Sequence, residues 1–376
     1  MADGVTIQPV SRSAEVEEFI RFPFALYRDY PHWVPPLFSE RRAFLDPKKN
    51  PVFEYARIQL FLARRNGKTV GTIAAIRNDR YGEFHPEDRD VGFFGLYEAE
   101  NDPAVSRALF DAAANWLRGE GRARMRGPTN FTTNDVVGAL IEGYDDDPVV
   151  MMPYNPAYYA TQFEACGFRK AKDLYALEVM SDGSFRQLDA AVAKLKERGT
   201  CVLRPIDLRK WNEELEFVRR CYNESWAKNW GFVPWTDREL VAIAKELKPL
   251  VDPCFAYVGE VDGEPVGISI AIPDANEALK LAKGKLFPTG LLRILWKIKV
   301  QRCDRVRVMA LGILPKYRRL GLHALFIHRT IENGRRLGYR GAEVGWILED
   351  NEAMLRALRD VNARRTKVFR VYERGI

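Results

Sequence analysis

The sequence predicts an α+β protein made of two similar halves, each a mixed, mostly antiparallel sheet flanked by helices. Three observations carry that expectation. Gly67-Lys-Thr-Val-Gly-Thr-Ile-Ala-Ala-Ile76 returns in diverged form as Gly263-Glu-Pro-Val-Gly-Ile-Ser-Ile-Ala-Ile272, at an offset of 263 − 67 = 196. Trp33-Val34-Pro35-Pro36 is matched by Phe232-Val233-Pro234-Trp235 at 232 − 33 = 199, and Ala108-Leu109-Phe110 by Ala324-Leu325-Phe326 at 324 − 108 = 216. Between these markers the strand-like and helix-like runs come twice in the same order. A chain of 376 residues is long enough for two hydrophobic cores.

The elements follow in sequence. Each half opens on a strand, Val5–Val10 and Thr200–Pro205, followed by a helical region. A hairpin comes next, Ile58–Ile76 and Phe255–Ile272. Its turns carry Asn66-Gly67 and Asp262-Gly263, residues that accept the positive φ of a tight hairpin. Then come a strand, a helix (Pro103–Gly119; Gly321–Gly338), a further strand, a second helix and a last strand, which is Asp173–Val179 in the first half. The polar turn Met180-Ser-Asp-Gly-Ser184 marks the join, so the expected domains are 1–180 and 185–376.

Composition removes several classes. Hydrophobic content of 47% and aromatic content of 12% belong to a globular chain, not a disordered one. No apolar run reaches membrane-spanning length, and the N-terminus lacks a basic segment followed by an apolar one. A cytoplasmic location is expected, with peripheral contact at the inner face of the plasma membrane. Five scattered cysteines without a CxxC pair argue against a disulfide framework or structural zinc. Four histidines argue against a His-based metal centre, so no metal is expected.

The most informative stretch is Val308-Met-Ala-Leu-Gly-Ile-Leu-Pro-Lys-Tyr-Arg-Arg-Leu-Gly-Leu-His-Ala-Leu-Phe-Ile327. An apolar strand runs to Pro315, a basic turn holds Arg318, Arg319 and Gly321, and an apolar-periodic helix begins. The N–H groups of a helix's first turn have no partners within the helix, and its N-terminal dipole is positive. Gly321 allows close approach to the backbone, and the two arginines add fixed charge. The Walker A and dinucleotide fingerprints are absent. The stretch resembles the pyrophosphate loop of the GNAT superfamily of acyl-CoA N-acyltransferases, Arg/Gln-x-x-Gly-x-Gly/Ala. Arg318-x-x-Gly321 fits, and His323 stands where the family usually has Gly or Ala. The resemblance implies two tandem GNAT-like domains and acyl-CoA as co-substrate. It implies contacts from Leu311, Gly312, Ile313, Arg318, Arg319, Gly321, Leu322, His323, Ala324 and Asn351. At the matching place the first half has the acidic Leu96-Tyr-Glu-Ala-Glu-Asn-Asp-Pro103, which repels a pyrophosphate. The second half is therefore expected to bind CoA, and the first to shape the acceptor side.

Between hairpin and helix the offset grows from 196 to 216, so the second half carries 216 − 196 = 20 extra residues, around 279–303. This segment holds seven basic residues (Lys280, Lys283, Lys285, Arg293, Lys297, Lys299, Arg302) and no acid, against a net charge of +7 for the whole chain. Arg293 and Lys297 share one helical face; Leu291, Leu295 and Ile298 line another. A basic amphipathic segment suits an anionic membrane surface or a lid over a long apolar ligand. A core helix with solvated lysines is the plainer reading. No groove-reading motif accompanies the charge, so nucleic acid is not expected as a partner.

Further stretches carry the resemblance across nearly the whole chain. They are Gly127-Pro-Thr-Asn-Phe-Thr-Thr-Asn-Asp135, Met151-Met-Pro-Tyr-Asn-Pro-Ala-Tyr-Tyr159, Gly345-Trp-Ile-Leu-Glu-Asp-Asn351 and Lys367-Val-Phe-Arg-Val-Tyr-Glu373. Together they look like a family of bacterial double-GNAT proteins that includes the bacterial ceramide synthases. That resemblance implies transfer of a long acyl chain from acyl-CoA to a primary amine such as a sphingoid base. Two other readings stand beside it: a small-molecule or peptide N-acetyltransferase, and a catalytically silent CoA-binding or scaffold protein. Amine acylation needs a base for the ammonium proton and an acid for the thiolate. The fourth strand, Val306–Ile313, has no acid, so Glu349 and Glu343 on or after the fifth strand are the base candidates and Tyr372 the acid candidate. Asn130, Asn134, Tyr154, Asn155 and Trp346 are the candidates for holding the acceptor. Asn155 before Pro156 also reads as a helix N-cap.

Overall fold

The computed structural model describes residues 4–376, apart from the side chain of Lys299; the expectations resting on Met1–Asp3 and on that side chain lie outside the described residues. In chain order the elements are β1 (Val5–Pro9), α1 (Ser13–Leu26), α2 (Phe38–Phe44), β2 (Ala56–Arg65), β3 (Lys68–Asn78), α3 (Asp79–Phe84), β4 (Val91–Ala99), α4 (Pro103–Gly119), β5 (Arg124–Gly127), β6 (Ala139–Glu142), α5 (Tyr158–Ala165) and β7 (Arg169–Met180). There follow α6 (Arg186–Arg198), β8 (Cys201–Pro205), α7 (Trp211–Trp226), α8 (Asp237–Leu247), β9 (Ala256–Val261), β10 (Glu264–Pro273), α9 (Ala275–Ala282), α10 (Gly290–Trp296), β11 (Arg305–Ile313), α11 (Leu322–Leu337), β12 (Gly341–Leu348), α12 (Glu352–Arg359) and β13 (Arg364–Gly375). Short 3₁₀ turns and one π-helical turn, Lys297–Gln301, fill several connections.

These elements form two compact units. The first comprises residues up to Leu174 together with Ala282–Gly290 and Lys367–Ile376; the second comprises Tyr175–Leu281 and Leu291–Thr366. Relative to a division at 180/185, two later segments therefore fall with the first unit, and the end of β7 falls with the second.

In the first unit the strands run β1-β2-β3-β4-β5-β13, with β6 also on β13. All neighbours are antiparallel except β4 and β5, which pair in parallel from Val91↔Arg124 to Phe93↔Arg126. The hairpin β2–β3 turns at Asn66-Gly67, both residues at positive φ, as that dipeptide predicts. Helix α4 lies on this sheet. Leu109, Phe110 and Leu117 enter a core with Phe61, Ile73, Phe94, Tyr97, Phe163 and Tyr372. The glycine of the repeated Val-Gly pair has a packing cause. A Cβ on Gly71 would lie 2.8 Å from Leu109, and one on Gly267 in the second unit 3.0 Å from Leu322.

The second unit repeats the plan as β12-β11-β10-β9-β8. Its core joins α11 (Leu322, Leu325, Phe326) and α6 (Leu188, Val192) to Tyr257, Val266, Ile313 and Ile347. On the other face α7 packs Phe217, Val218 and Cys221 against Ala256, Val258 and Ile268. The parallel β11–β12 ladder stops at Val308↔Val344, although β11 continues to Ile313 and β12 to Leu348. Beyond that point the two strands are no longer paired to each other.

A further pair of matched positions is hidden in the sequence. Buried Glu15 accepts hydrogen bonds from the N–H groups of Ser11 (2.8 Å) and Arg12 (3.0 Å). Buried Glu214, at 214 − 15 = 199, accepts from the Asp207 N–H and from Arg204. Each carboxylate ties the turn after the first strand of its unit to the helix that follows.

Much of the insertion's apolar face is open to solvent. Leu291 and Leu295 are exposed, and Ile298 alone of that trio packs inward, beside Cys303 and Val306. Leu292 (67% exposed), Trp296 (50%) and Val300 (67%) are open to solvent in the second unit, as is Phe287 (75%) in the first. Lys297 is held by Glu277 at 3.0 Å, which also accepts from the N–H groups of Asp304 and Arg305. Its charge is therefore neutralised from just outside the acid-free segment.

Candidate functional site

In the second unit the strand–turn–helix expected at 308–327 is present. Pro315–Leu320 forms a 3₁₀ turn, Gly321 takes the left-handed conformation at φ 81°, and α11 follows for 16 residues. No acid stands in the helix's first turn. The first N–H groups and the dipole therefore present an anion site. Arg318 is partly used in building the loop: Nε donates to the Ile313 carbonyl at 3.3 Å and Nη2 to the Ser225 carbonyl at 2.8 Å. Arg319 is exposed. The side chains of Leu322 and Ala324 are buried and anchor the helix. His323 is half-buried. Burial lowers its pKa against the opposing pull of Asp360, so the departure from Gly or Ala leaves a neutral ring at pH 7.

Leu311 and Ile313 pack on the core; Gly312 faces α7 instead. A Cβ on Gly312 would sit 2.4 Å from the Trp226 ring. Trp226 stacks on Tyr222 (4.6 Å), which stacks on Trp235 (3.9 Å). This aromatic column beside the strand end was not among the expected site residues. Its sequence trace was the Phe232–Trp235 repeat marker.

The two carboxylate candidates have different surroundings. Glu343 is 1% exposed and stands opposite Arg307 in the parallel ladder. Arg307 donates to the Gly345 carbonyl at 3.2 Å, and burial lowers its pKa to about 10 against the pull of Glu343 and Asp274. Arg305 and Asp274 complete a buried ionic group. Glu349 instead lies half-buried just past the end of β12. Trp346 is half-buried on that strand. Asn351 caps α12, its Oδ1 accepting from the Met354 N–H at 3.2 Å. Tyr372 belongs to the first unit, 1% exposed in the aromatic core with its ring edge-on to Phe163; burial pushes its hydroxyl up to about 12. That packing is poor support for a proton donor.

In the first unit the counterpart of the arginine turn is closed to anions. Asp102 caps α4, accepting from the Ala104 N–H at 2.8 Å, and is paired with Arg65 at 2.6 Å. A carboxylate thus stands where a phosphate would have to sit. Asn130 Oδ1 accepts from the Leu96 N–H at 3.0 Å, and the Asn134 N–H donates to Thr132 Oγ at 3.2 Å. Asn155 is buried and bridges to β6: the Leu140 N–H donates to its Oδ1 (2.6 Å), and its Nδ2 donates to the Leu140 and Pro156 carbonyls. It is not a helix cap, since α5 starts later with Ala157 at the N-cap position. Tyr154 donates to the Tyr144 carbonyl at 3.2 Å.

The group that sequence reasoning missed is Glu98 on β4. Tyr27 and Tyr159 both donate to its Oε2, at 2.6 and 2.7 Å. Desolvation raises its pKa to about 7, against the lowering effect of the two phenols and of Arg41. Its sequence signals were the acidic Leu96–Pro103 stretch and the tyrosine-rich run Tyr154–Tyr159 that leads into α5.

No family model matches the chain. It is 36% identical to the bacterial ceramide synthase of Caulobacter vibrioides (strain NA1000 / CB15N), over 99% of this chain and 98% of that protein. It is 35% identical to the protein YghO of Escherichia coli (strain K12), over 96% and 93%. Among solved structures it resembles a tandem GNAT protein from the clavulanic acid biosynthesis pathway, with a TM-score of 0.54, 12% identity, and 99% and 98% of the two chains covered. It also resembles a GCN5-related N-acetyltransferase from Sphaerobacter thermophilus, with a TM-score of 0.54, 11% identity, and 100% and 96% covered. These likenesses show a tandem GNAT fold.

Proposed function

Because the chain belongs to the family of double-GNAT acyl-CoA N-acyltransferases that contains the Caulobacter bacterial ceramide synthase, we propose that it moves a long acyl chain from acyl-CoA to a primary amine of the sphingoid type. The observation that carries the reading is the asymmetry of the repeat. Only the second unit combines the helix N-terminus, Gly321 and two arginines, while Asp102 fills the same place in the first. Arg319, Arg318 and the first N–H groups of α11 would hold the CoA pyrophosphate, and Gly312 and Ile313 would lie beside its pantetheine arm.

The amine must be neutral to attack. Glu349, at the open end of β12, is the carboxylate assigned to take its proton; Glu343 is engaged with Arg307 inside the sheet. The nitrogen adds to the thioester carbonyl, the C–N bond forms, the C–S bond breaks, and the thiolate leaves and is protonated. The exposed apolar residues around α10, with Lys280, Lys283, Lys285 and Arg293 nearby in sequence, give the insertion the character of a peripheral contact with an anionic leaflet. No helix among the described residues is long and apolar enough to cross a membrane.

The test is incubation of the pure protein with acetyl-, octanoyl- and palmitoyl-CoA and either sphinganine or hexylamine, following thiol release and product mass. Palmitoyl amides of sphinganine are expected. Acetylation alone would support the small-molecule reading, and CoA binding without thiol release the scaffold reading.

A further inference from the structure

The second unit has a recognisable ligand loop; the first has Glu98. The two positions are equivalent by ladder register. Thr72 pairs with Glu98 in the first unit, and Ile268 pairs with Gly312 in the second, at 268 − 72 = 196. Tyr27, at the end of α1, touches Glu98; Trp226, at the end of α7 and 226 − 27 = 199 residues later, touches Gly312. The same place in the fold is thus a bare backbone in one unit and a carboxylate in the other.

The surroundings of that carboxylate specify a ligand. Both phenols donate to Oε2, and Tyr27 and Tyr159 are each 2% exposed, so this side is fixed. The Tyr159 hydroxyl is itself held by the Ala99 N–H at 2.9 Å. Oε1 accepts no hydrogen bond among the described residues, and it is not among the solvent-excluded atoms without a partner. Tyr27, whose hydroxyl donates to this carboxylate, stacks on Trp33 (4.8 Å) and meets Tyr30 edge-on (5.6 Å), and Tyr158 donates to the carbonyl of neighbouring Ala99 (2.7 Å). When Glu98 is ionised that oxygen can only accept, and beside rings with negative faces it complements a cation that carries N–H donors. The other groups facing Glu98 are Arg41 from α2 and Tyr158 from α5, of which Arg41 alone carries charge at neutral pH.

We infer that the first unit holds a recognition site for a primary ammonium, in which Glu98 Oε1 accepts from the cation and the Tyr27–Trp33 pair flanks it. The inference goes beyond the acyl-transfer reading and does not depend on it: it concerns an ammonium held by the first unit. Glu98 is a binding residue here, and no bond is made or broken at it.

The probe is decylammonium, titrated calorimetrically into the full chain between pH 6 and 8, with decanol as the uncharged comparison. Affinity is expected to tighten about tenfold across that range as Glu98 ionises. Glu98→Gln keeps the size of the side chain and should weaken binding at pH 8 at least tenfold and flatten the pH profile. Tyr27→Phe removes a donor to the charged form, so the midpoint should move to higher pH. Equal binding of decanol, a Glu98→Gln profile like the wild type's, or an unmoved midpoint in Tyr27→Phe would each overturn the site. Arg318→Ala/Arg319→Ala should leave decylammonium binding intact. If that variant and the wild type both bind amine but no thiol is ever released, the acyl-transfer reading falls and the ammonium site stands. Turnover without Glu98-dependent amine binding overturns the ammonium site and leaves acyl transfer standing.

Discussion

Glu98 and Glu15 give two carboxylates opposite effects on stability. The Glu98 pKa is raised to about 7, so between the ordinary carboxylate value and 7 the folded protein binds the extra proton. Stability is then greatest at the acid side of that window and falls as pH rises through it, by on the order of 2 kcal/mol after allowance for partial solvent access. The melting temperature should drop from pH 5 to pH 8 in the wild type, and Glu98→Gln should remove most of that slope. Glu15 is the opposite case. The N–H groups of Ser11 and Arg12 and the Arg12 side chain lower its pKa to about 2, so its contribution is present above the ordinary value and is lost as pH falls toward 2. Glu15→Gln should flatten the acid limb of an unfolding titration. The loop arginines divide differently: Arg319→Ala should weaken CoA binding with an unchanged melting temperature, whereas Arg318→Ala should lower both, because it also loses the Ile313 and Ser225 carbonyls. The arginines were legible because loop and helix are contiguous. Glu98 was not, since its partners lie 71 and 61 residues away and its environment exists only after folding.

Among the elements, the insertion offers the most direct test. Leu292 and Trp296 are exposed on α10, so Leu292→Glu/Trp296→Glu should leave the melting temperature near that of the wild type while reducing flotation with anionic vesicles. Added salt should weaken what binding the basic residues contribute. Unchanged flotation, or a melting temperature several degrees lower, contradicts a surface role for this face. Periodicity announced a helix here but not which side meets the core. Leu291, Leu295 and Ile298 read as one apolar face, yet of the three Ile298 makes the inward contact, from the π-helical turn whose different winding no 3.6-residue pattern anticipates. The hairpins and α4 were legible to within a few residues because turn chemistry and helix period agreed there. Asn155 was legible as a functional amide or a cap, and it proved to be neither exposed nor capping.

At the scale of the whole molecule, the repeat was readable but its exchange of segments was not. Lys367–Ile376 supplies buried Val368, Phe369, Val371 and Tyr372 to the first unit, paired with β5 and β6. Nothing in the alternation of β13 says which sheet it joins. Fragments cut at 180/185 should therefore not behave as domains. Residues 1–180 expressed alone should be aggregated or molten, and deletion of 367–376 from the full chain should lower first-unit stability enough to abolish its cooperative melt, as read by hydrogen exchange at β3 and β4. The same feature sets a schedule for synthesis. From Leu174 to Lys367 the chain advances by 367 − 174 = 193 positions. At roughly 5–20 residues per second, about 10–40 s of translation separate the emergence of the first unit's main body from that of the strand that completes it. For that interval the side chains awaiting β13, among them Phe163 and Met125, stay without their last neighbour. Nascent chains of this protein should accordingly be bound by chaperones longest at the half that leaves the ribosome first.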